Sequence, residues 1–127
     1  MTCATKKSGF SWVTVNDFGK AKTFFTEVLG LEISQNSEEF GWIELKAKGG
    51  DAFLGVAQHR KEEPQLVRPG QNGVITFDVE NIESSKAEME KKGVTFHGDI
   101  IEIPGHVKMV WFTDHDNNAY QLCEQLT

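Results

Sequence analysis

The fold is decided by a stretch near the start of the chain, FSWVTVND from Phe10 to Asp17, which FGKAKTFFTEVLG follows directly. The first part alternates apolar and polar residues, the period of a half-buried strand, and the second part has apolar residues at helical spacing. Asp17 stands where a helix N-cap is expected, and Gly30 stands where helices commonly end. The stretch therefore predicts a strand, a cap and a helix with one apolar face.

The same pattern returns at Val74, where VITFDVEN is followed by IESSKAEMEKKG. Asn81 is the expected N-cap of this second helix, and Gly93 is its expected end. After each helix come three more strand-like runs, separated by turn residues. Each half of the chain therefore predicts the order strand, helix, strand, strand, strand, written βαβββ.

We predict a single α+β domain over residues 1–127, built from two βαβββ repeats. Repeat one spans about 8–59, repeat two spans about 73–125, and residues 60–72, with two prolines and no periodicity, form a linker. A four-stranded sheet with one helix buries only the face under that helix. The two halves are therefore expected to form a curved, cup-like mixed sheet with its helices outside. The cup is either filled with side chains as a plain core or, if lined by polar groups, a ligand site.

The composition argues against several classes of partner. The chain has 127 residues, of which 39% are hydrophobic and 25% charged, with a formal net charge of -6 and no basic block. Because nucleic-acid binding depends on clustered Lys and Arg, nucleic acid is not an expected partner. No run is apolar enough for a signal peptide or a membrane span. Cys3 and Cys123 lack the spacing of a disulfide or zinc site, so we expect a cytoplasmic protein with reduced thiols.

Three features together resemble the vicinal-oxygen-chelate superfamily, which includes glyoxalase I, the extradiol dioxygenases, and the bleomycin and fosfomycin resistance proteins. They are the duplicated order, the pattern of VND, helix and LGLE at the front, and the ending TDHDNNAYQL. The resemblance runs from about Phe10 to Glu124, with His115 in place of the proline in the family's Asp-Pro-Asp-Gly-Asn turn. It implies the cup fold and, by analogy, a homodimer. It identifies no substrate, because one fold hosts many chemistries.

The resemblance also implies where a metal would be held. Members that are enzymes bind a divalent metal in the cup through His and Glu side chains from the first and last strands of each half. The corresponding positions here are Phe10, Gly55, Val74 and Gln121. Phe10 and Val74 have no donor atoms, Gly55 has no side chain, and a neutral amide binds transition metals poorly. We therefore expect no metal cofactor; a carboxylate at Gln121 without a metal would be an uncompensated buried charge.

Strand alternation predicts which side chains share a face with these four positions. The opposite, more apolar face is expected to lie against the helices, and it comprises Val13, Val15, Ile43, Leu45, Ile75, Phe77, Val79, Tyr120 and Leu122. The cup face comprises Phe10, Trp12, Thr14, Trp42, Glu44, Lys46, Phe53, Gly55, Ala57, Val74, Thr76, Asp78, Ala119, Gln121 and Cys123.

We predict a ligand site on the cup face, in which aromatic rings stack on a flat or apolar molecule while polar groups orient it. Its residues are Phe10, Trp12, Trp42, Glu44, Phe53, Thr76 and Gln121. The alternative is that the tryptophans close the cup as core or pack in a dimer interface. The histidines fall at strand ends or in turns and are expected on the surface rather than at a metal; they are His59, His97, His106 and His115.

Three functions stay open at the level of the sequence. The first is metal-independent binding of a small aromatic or amphipathic molecule, similar to the drug-resistance and sequestration members. The second is a metal-dependent lyase or dioxygenase related to lactoylglutathione lyase, which requires that at least two ligand positions be placed wrongly. The third is a metal-free enzyme with Glu44, the candidate catalytic residue, or Asp78 as its base.

Overall fold

The structure is a computed structural model that describes residues 11–50, 52–64 and 67–126. Phe10, one of the predicted ligand-binding residues, and Cys3 lie outside the described residues. The first half contains β1 (Ser11–Val15), α1 (Phe18–Thr23), β2 (Glu32–Ser37), β3 (Trp42–Lys46) and β4 (Leu54–Gln58). The second half contains β5 (Ile75–Asp78), α2 (Ile82–Lys91), β6 (Thr95–Ile103), β7 (Val107–Thr113) and β8 (Ala119–Gln125).

Both halves have the same strand order, which makes the repeat structural as well as sequential. The first sheet runs β1-β4-β3-β2 and the second β5-β8-β7-β6. In each sheet the first strand pairs with the last in parallel, and the other pairs are antiparallel. The predicted α+β class with two βαβββ repeats is therefore confirmed, as two four-stranded mixed sheets.

The predicted helix signals are also confirmed. The side chain of Asp17 accepts a hydrogen bond from the backbone N–H of Lys20, and Asn81 does the same for Ser84. Gly30 follows a π-helical extension of α1 over Phe24–Val28, and its φ of 71° is a conformation that glycine adopts without strain. The longer helix, α2, has 10 residues. Within the described ranges, no helix combines the length and apolar character needed to cross a membrane.

One hydrophobic core serves both halves. Phe24 and Phe25, at the end of the first helix, pack on the second sheet. The ring centroid of Phe24 lies 6.3 Å from that of Phe112, and the ring centroid of Phe25 lies 5.8 Å from that of Tyr120. The helix-facing side of each sheet is therefore buried in a shared layer, and the other side of each sheet points away from it. The strand residues in this core are Val13, Val15, Ile43, Leu45, Leu54, Val56, Val110, Phe112, Tyr120 and Leu122. The predicted burial of the apolar face is confirmed, with Ile75, Phe77 and Val79 partly buried at its margin.

The ending TDHDNN forms a hydrogen-bonded turn that ties the two halves together. The Asp114 carboxylate accepts from the backbone N–H groups of Asp116 and Asn118, from the Asn118 side chain and from the Tyr120 hydroxyl, which lies 2.8 Å away. Asn118 also donates to the carbonyl of Thr14 in β1. Burial beside Asp114 raises the pKa of Tyr120, because a phenolate there would lose hydration and face a carboxylate.

Candidate functional site

The cup face is the side of each sheet that points away from the helices. On the first sheet, strand pairing places Trp12 beside Gly55 and Gly55 beside Glu44. On the second sheet it places Thr76 beside Gln121, Gln121 beside Trp111, and Trp111 beside His97. The paired residues form one row across each sheet, and the two rows occupy equivalent positions in the two sheets. Gly55 and Gln121, the two glutamate positions implied by the resemblance, are therefore structurally equivalent.

The indole of Trp42 lies directly over Gly55. A Cβ atom built on Gly55 would stand only 2.7 Å from Cζ2 of Trp42 and 3.0 Å from Cβ of Trp12. Carbon atoms do not approach so closely, so any side chain at this position would displace the ring. A glutamate at this position, which the resemblance implies as a metal position, would need the space that the ring fills.

A second tryptophan and a carboxylate complete this arrangement. Nε1 of Trp42 donates a hydrogen bond to Oε2 of Glu44 at 3.1 Å. The ring of Trp12 stands edge-to-face to that of Trp42, with centroids 6.1 Å apart and planes at 62°, a favoured aromatic geometry. Trp12 is 42% exposed. We call Trp12, Trp42, Glu44 and Gly55 the indole cluster; it presents aromatic surface next to a fixed carboxylate.

The metal positions implied by the resemblance, where the structure describes them, lack the donors that a divalent metal prefers. Gly55 lies under an indole, Val74 is an exposed aliphatic side chain, and Gln121 offers a neutral amide. Zinc, nickel, manganese and iron sites are built from imidazole, carboxylate or thiolate donors, which these three positions lack. In the part of the chain that the structure describes, no group of three or more His, Cys, Asp or Glu side chains is placed to hold a metal ion.

The histidines are engaged elsewhere or exposed. Nε2 of His97 lies 3.0 Å from the hydroxyl of Thr113, and the exposed His115 sets its ring edge-to-face to Phe24 at 6.0 Å. The run Asp114, His115, Asp116 resembles a ligand cluster in the sequence alone. In the structure Asp114 accepts hydrogen bonds from its own turn, and Asp116 binds Asn16.

The predicted ligand-binding residues fall into two groups. Trp12, Trp42 and Glu44 lie together on the first sheet, and Phe53, 42% exposed, directly precedes β4 in that sheet. Thr76 and Gln121 are neighbours on the second sheet. Among the described residues, no strand of one sheet makes extensive contact with a strand of the other. The structure therefore places these residues in two groups, one on each sheet.

One residue of this surface was missed by the sequence reasoning. Trp111 of β7 lies on the second cup face between Gln121 and His97. Its neighbours Val110 and Phe112 are fully buried, whereas Trp111 is partly exposed. The alternation along KMVWFTD carries this signal, since two buried apolar residues flank the tryptophan.

Residues 9–122 of the sequence match the family model of the Glyoxalase/Bleomycin resistance protein/Dioxygenase superfamily. The chain belongs to this superfamily. It is 30% identical over 125 residues to the uncharacterized protein YetH of Bacillus subtilis (strain 168), covering 94% of this chain and 98% of that protein.

Two further relatives differ in what their names say. The chain is 25% identical to the lactoylglutathione lyase of Schizosaccharomyces pombe (strain 972 / ATCC 24843), over 96% of its own length and 48% of the lyase, so it spans about half of that enzyme. The crystal structure of TnmS3, an antibiotic binding protein from Streptomyces sp. CB03234, matches with a TM-score of 0.73 at 21% identity, covering 95% of this chain and 98% of that one. At this identity the structural match concerns the fold alone.

Proposed function

We propose that this protein binds a small aromatic or amphipathic molecule on its cup face and does so without a metal. The observation that carries the proposal is the indole of Trp42 lying over Gly55. A site that chelates a metal needs a carboxylate or imidazole at that point, whereas a site that stacks on a flat molecule needs an aromatic surface. The chain has the second arrangement.

Burial and stacking would supply the affinity. The exposed part of Trp12 and the ring of Trp42 offer apolar area, and aromatic pairs add about 0.5–1.5 kcal/mol beyond the burial of that area. Glu44, with one carboxylate oxygen fixed by the indole N–H, would orient a polar group of the ligand. This engagement favours an orienting role for Glu44 over that of a catalytic base.

We also propose that the protein acts as a homodimer. Trp12 and Phe53 are each 42% exposed, so a ligand beside them would be only partly covered by one chain. A second copy that placed its Thr76, Gln121 and Trp111 over the indole cluster would enclose a ligand between an aromatic and a more polar wall.

We further propose that the protein is located in the reducing cytoplasm. The free, buried thiol of Cys123 agrees with this location.

The names of the relatives support different readings. That of TnmS3 describes antibiotic binding, which agrees with the proposal, and that of the yeast protein describes a lyase. The lyase reading would need metal ligands at the family positions, and Gly55 and Val74 have none. For this reason we favour binding over catalysis.

The proposal is tested by screening aromatic compounds for quenching of tryptophan fluorescence, with a chelator present throughout. Hits are then measured on Trp42→Ala, and on Phe40→Ala as the matched control, because Phe40 is a 68% exposed aromatic residue in a turn of the same half. We expect at least one hit whose affinity falls about tenfold in Trp42→Ala and not in Phe40→Ala. Binding that requires added metal, or that Trp42→Ala leaves unchanged, would contradict the proposal.

A further inference from the structure

We infer that the molecule held by the indole cluster carries a positive charge beside its aromatic ring. This inference rests on the proposed function and adds the charge of the ligand to it. It follows from the position of the Glu44 carboxylate next to the two indole rings of Trp12 and Trp42.

The carboxylate of Glu44 is fixed by a neutral donor. Its Oε2 atom accepts the N–H of Trp42, which holds the group in place without cancelling its charge. None of the ion pairs found among the described residues includes Glu44. The residue is only half-buried, so a ligand on the cup face can reach it.

The indole rings, like the Glu44 carboxylate, favour a positively charged ligand. The face of an aromatic ring carries the negative end of its quadrupole, and tryptophan attracts cations more strongly than the other aromatic side chains do. The edge-to-face contact with Trp42 leaves Trp12 42% exposed. A planar cation stacked there would meet π-electron density and a carboxylate together, whereas an anion would be repelled by both.

The other charges near this surface do not reverse the preference. Lys46 lies opposite Glu32 in the strand register, so a cation and an anion stand side by side there. Arg68 of the linker lines a cavity of about 170 Å³ together with Trp12, but it is exposed, and solvent screens its charge.

The test compares two probes that share one ring system, quinoline and its cation N-methylquinolinium, at a mildly alkaline pH where quinoline is neutral. Binding is followed through the indole N–H signals of ¹⁵N-labelled protein, which report on Trp12 and Trp42 separately from Trp111. We expect N-methylquinolinium to bind about tenfold more tightly than quinoline, with the largest shifts at Trp12 and Trp42.

Two variants test whether the charge of Glu44 causes the tighter binding of the cationic probe. Glu44→Gln keeps an acceptor for the Trp42 N–H while removing the charge, so the fold should persist and the two probes should bind about equally. Glu39→Gln removes the same charge from an exposed residue of the same half that lies outside the strands, and it should leave the preference unchanged. Equal binding of the probes by the wild type, or a preference that survives Glu44→Gln, would overturn the inference while leaving aromatic binding intact. If neither probe shifts the indole signals of the wild type, the proposed function fails as well.

Discussion

The two cup faces share one backbone plan and carry different side chains. On the first sheet a glycine lies under an indole, and on the equivalent place of the second sheet a glutamine lies beside one. The row on the first sheet is Trp12, Gly55, Glu44 and Gln35, and the row on the second is Thr76, Gln121, Trp111 and His97. One strand order can therefore support an aromatic platform in one half and a more polar surface in the other.

The halves also differ in the turn that leads into their last strand. In the first half Gly49 and Gly50 lie in open space, with no atom near enough to contact an added Cβ. In the second half the carboxylate of Asp114 collects hydrogen bonds from Asn118, Tyr120 and the turn backbone. Stability should therefore be concentrated in the second turn.

The largest effect is expected for Asp114→Ala. The variant removes the acceptor of the Tyr120 hydroxyl and of the backbone N–H groups of Asp116 and Asn118, and each buried unsatisfied group costs about 1–3 kcal/mol. We expect the free energy of unfolding, measured with urea, to fall by about 3 kcal/mol or more. Gly49→Ala is the control in the other turn and should change it little. Similar values for the two variants would show that the turns do not differ as described.

A smaller effect is expected for Gly55→Ala, which tests the position where the two cup faces differ most. The new methyl group must push the Trp42 ring aside, and overpacking of this kind costs about 1–3 kcal/mol. The indole fluorescence should change at the same time. Gln121→Ala, at the equivalent place, only shortens a partly exposed side chain and should cost less than about 1 kcal/mol. A Gly55→Ala variant as stable as the wild type, with unchanged fluorescence, would show that the ring is not seated there.

The prediction with the smallest effect at neutral pH concerns the ionisation of Tyr120, the single tyrosine of the chain. Its equivalent in the first sheet is Leu54, which does not titrate. The pKa of Tyr120 is raised in the folded state, so the stability linked to this group is complete below the unfolded value of about 10 and is lost as the pH rises beyond it. Phenolate absorbance should therefore appear only together with unfolding. Absorbance that rises near the unfolded value while circular dichroism is unchanged would contradict the buried hydrogen bond to Asp114.

The sequence was sufficient for the features that depend on local pattern. Asp17 and Asn81 cap the helices as predicted, because capping depends on a few neighbouring residues. Alternation along the strands also assigned Trp42 and Glu44 to one face and Ile43 and Leu45 to the other. Both signals repeat in the two halves, which made them readable without a structure.

Features that depend on side-chain conformation were not predictable in this way. Alternation gives the face on which Trp42 lies but not its rotamer. The position of its ring over Gly55 and its hydrogen bond to Glu44 are therefore seen only in the structure. The placement of the two sheets relative to each other depends on long-range packing, such as the contact of Phe25 with Tyr120. No short stretch of sequence encodes that packing.

The central claim, that an indole occupies the place of a metal ligand, is tested most directly by measuring metal content. Untagged protein, purified without chelator and equilibrated with zinc, nickel, manganese or iron(II), is freed of loosely held ions and analysed by elemental mass spectrometry. The account predicts metal far below one ion per chain in every case. One tightly held ion per chain would contradict it and would make the lyase or dioxygenase reading the leading one.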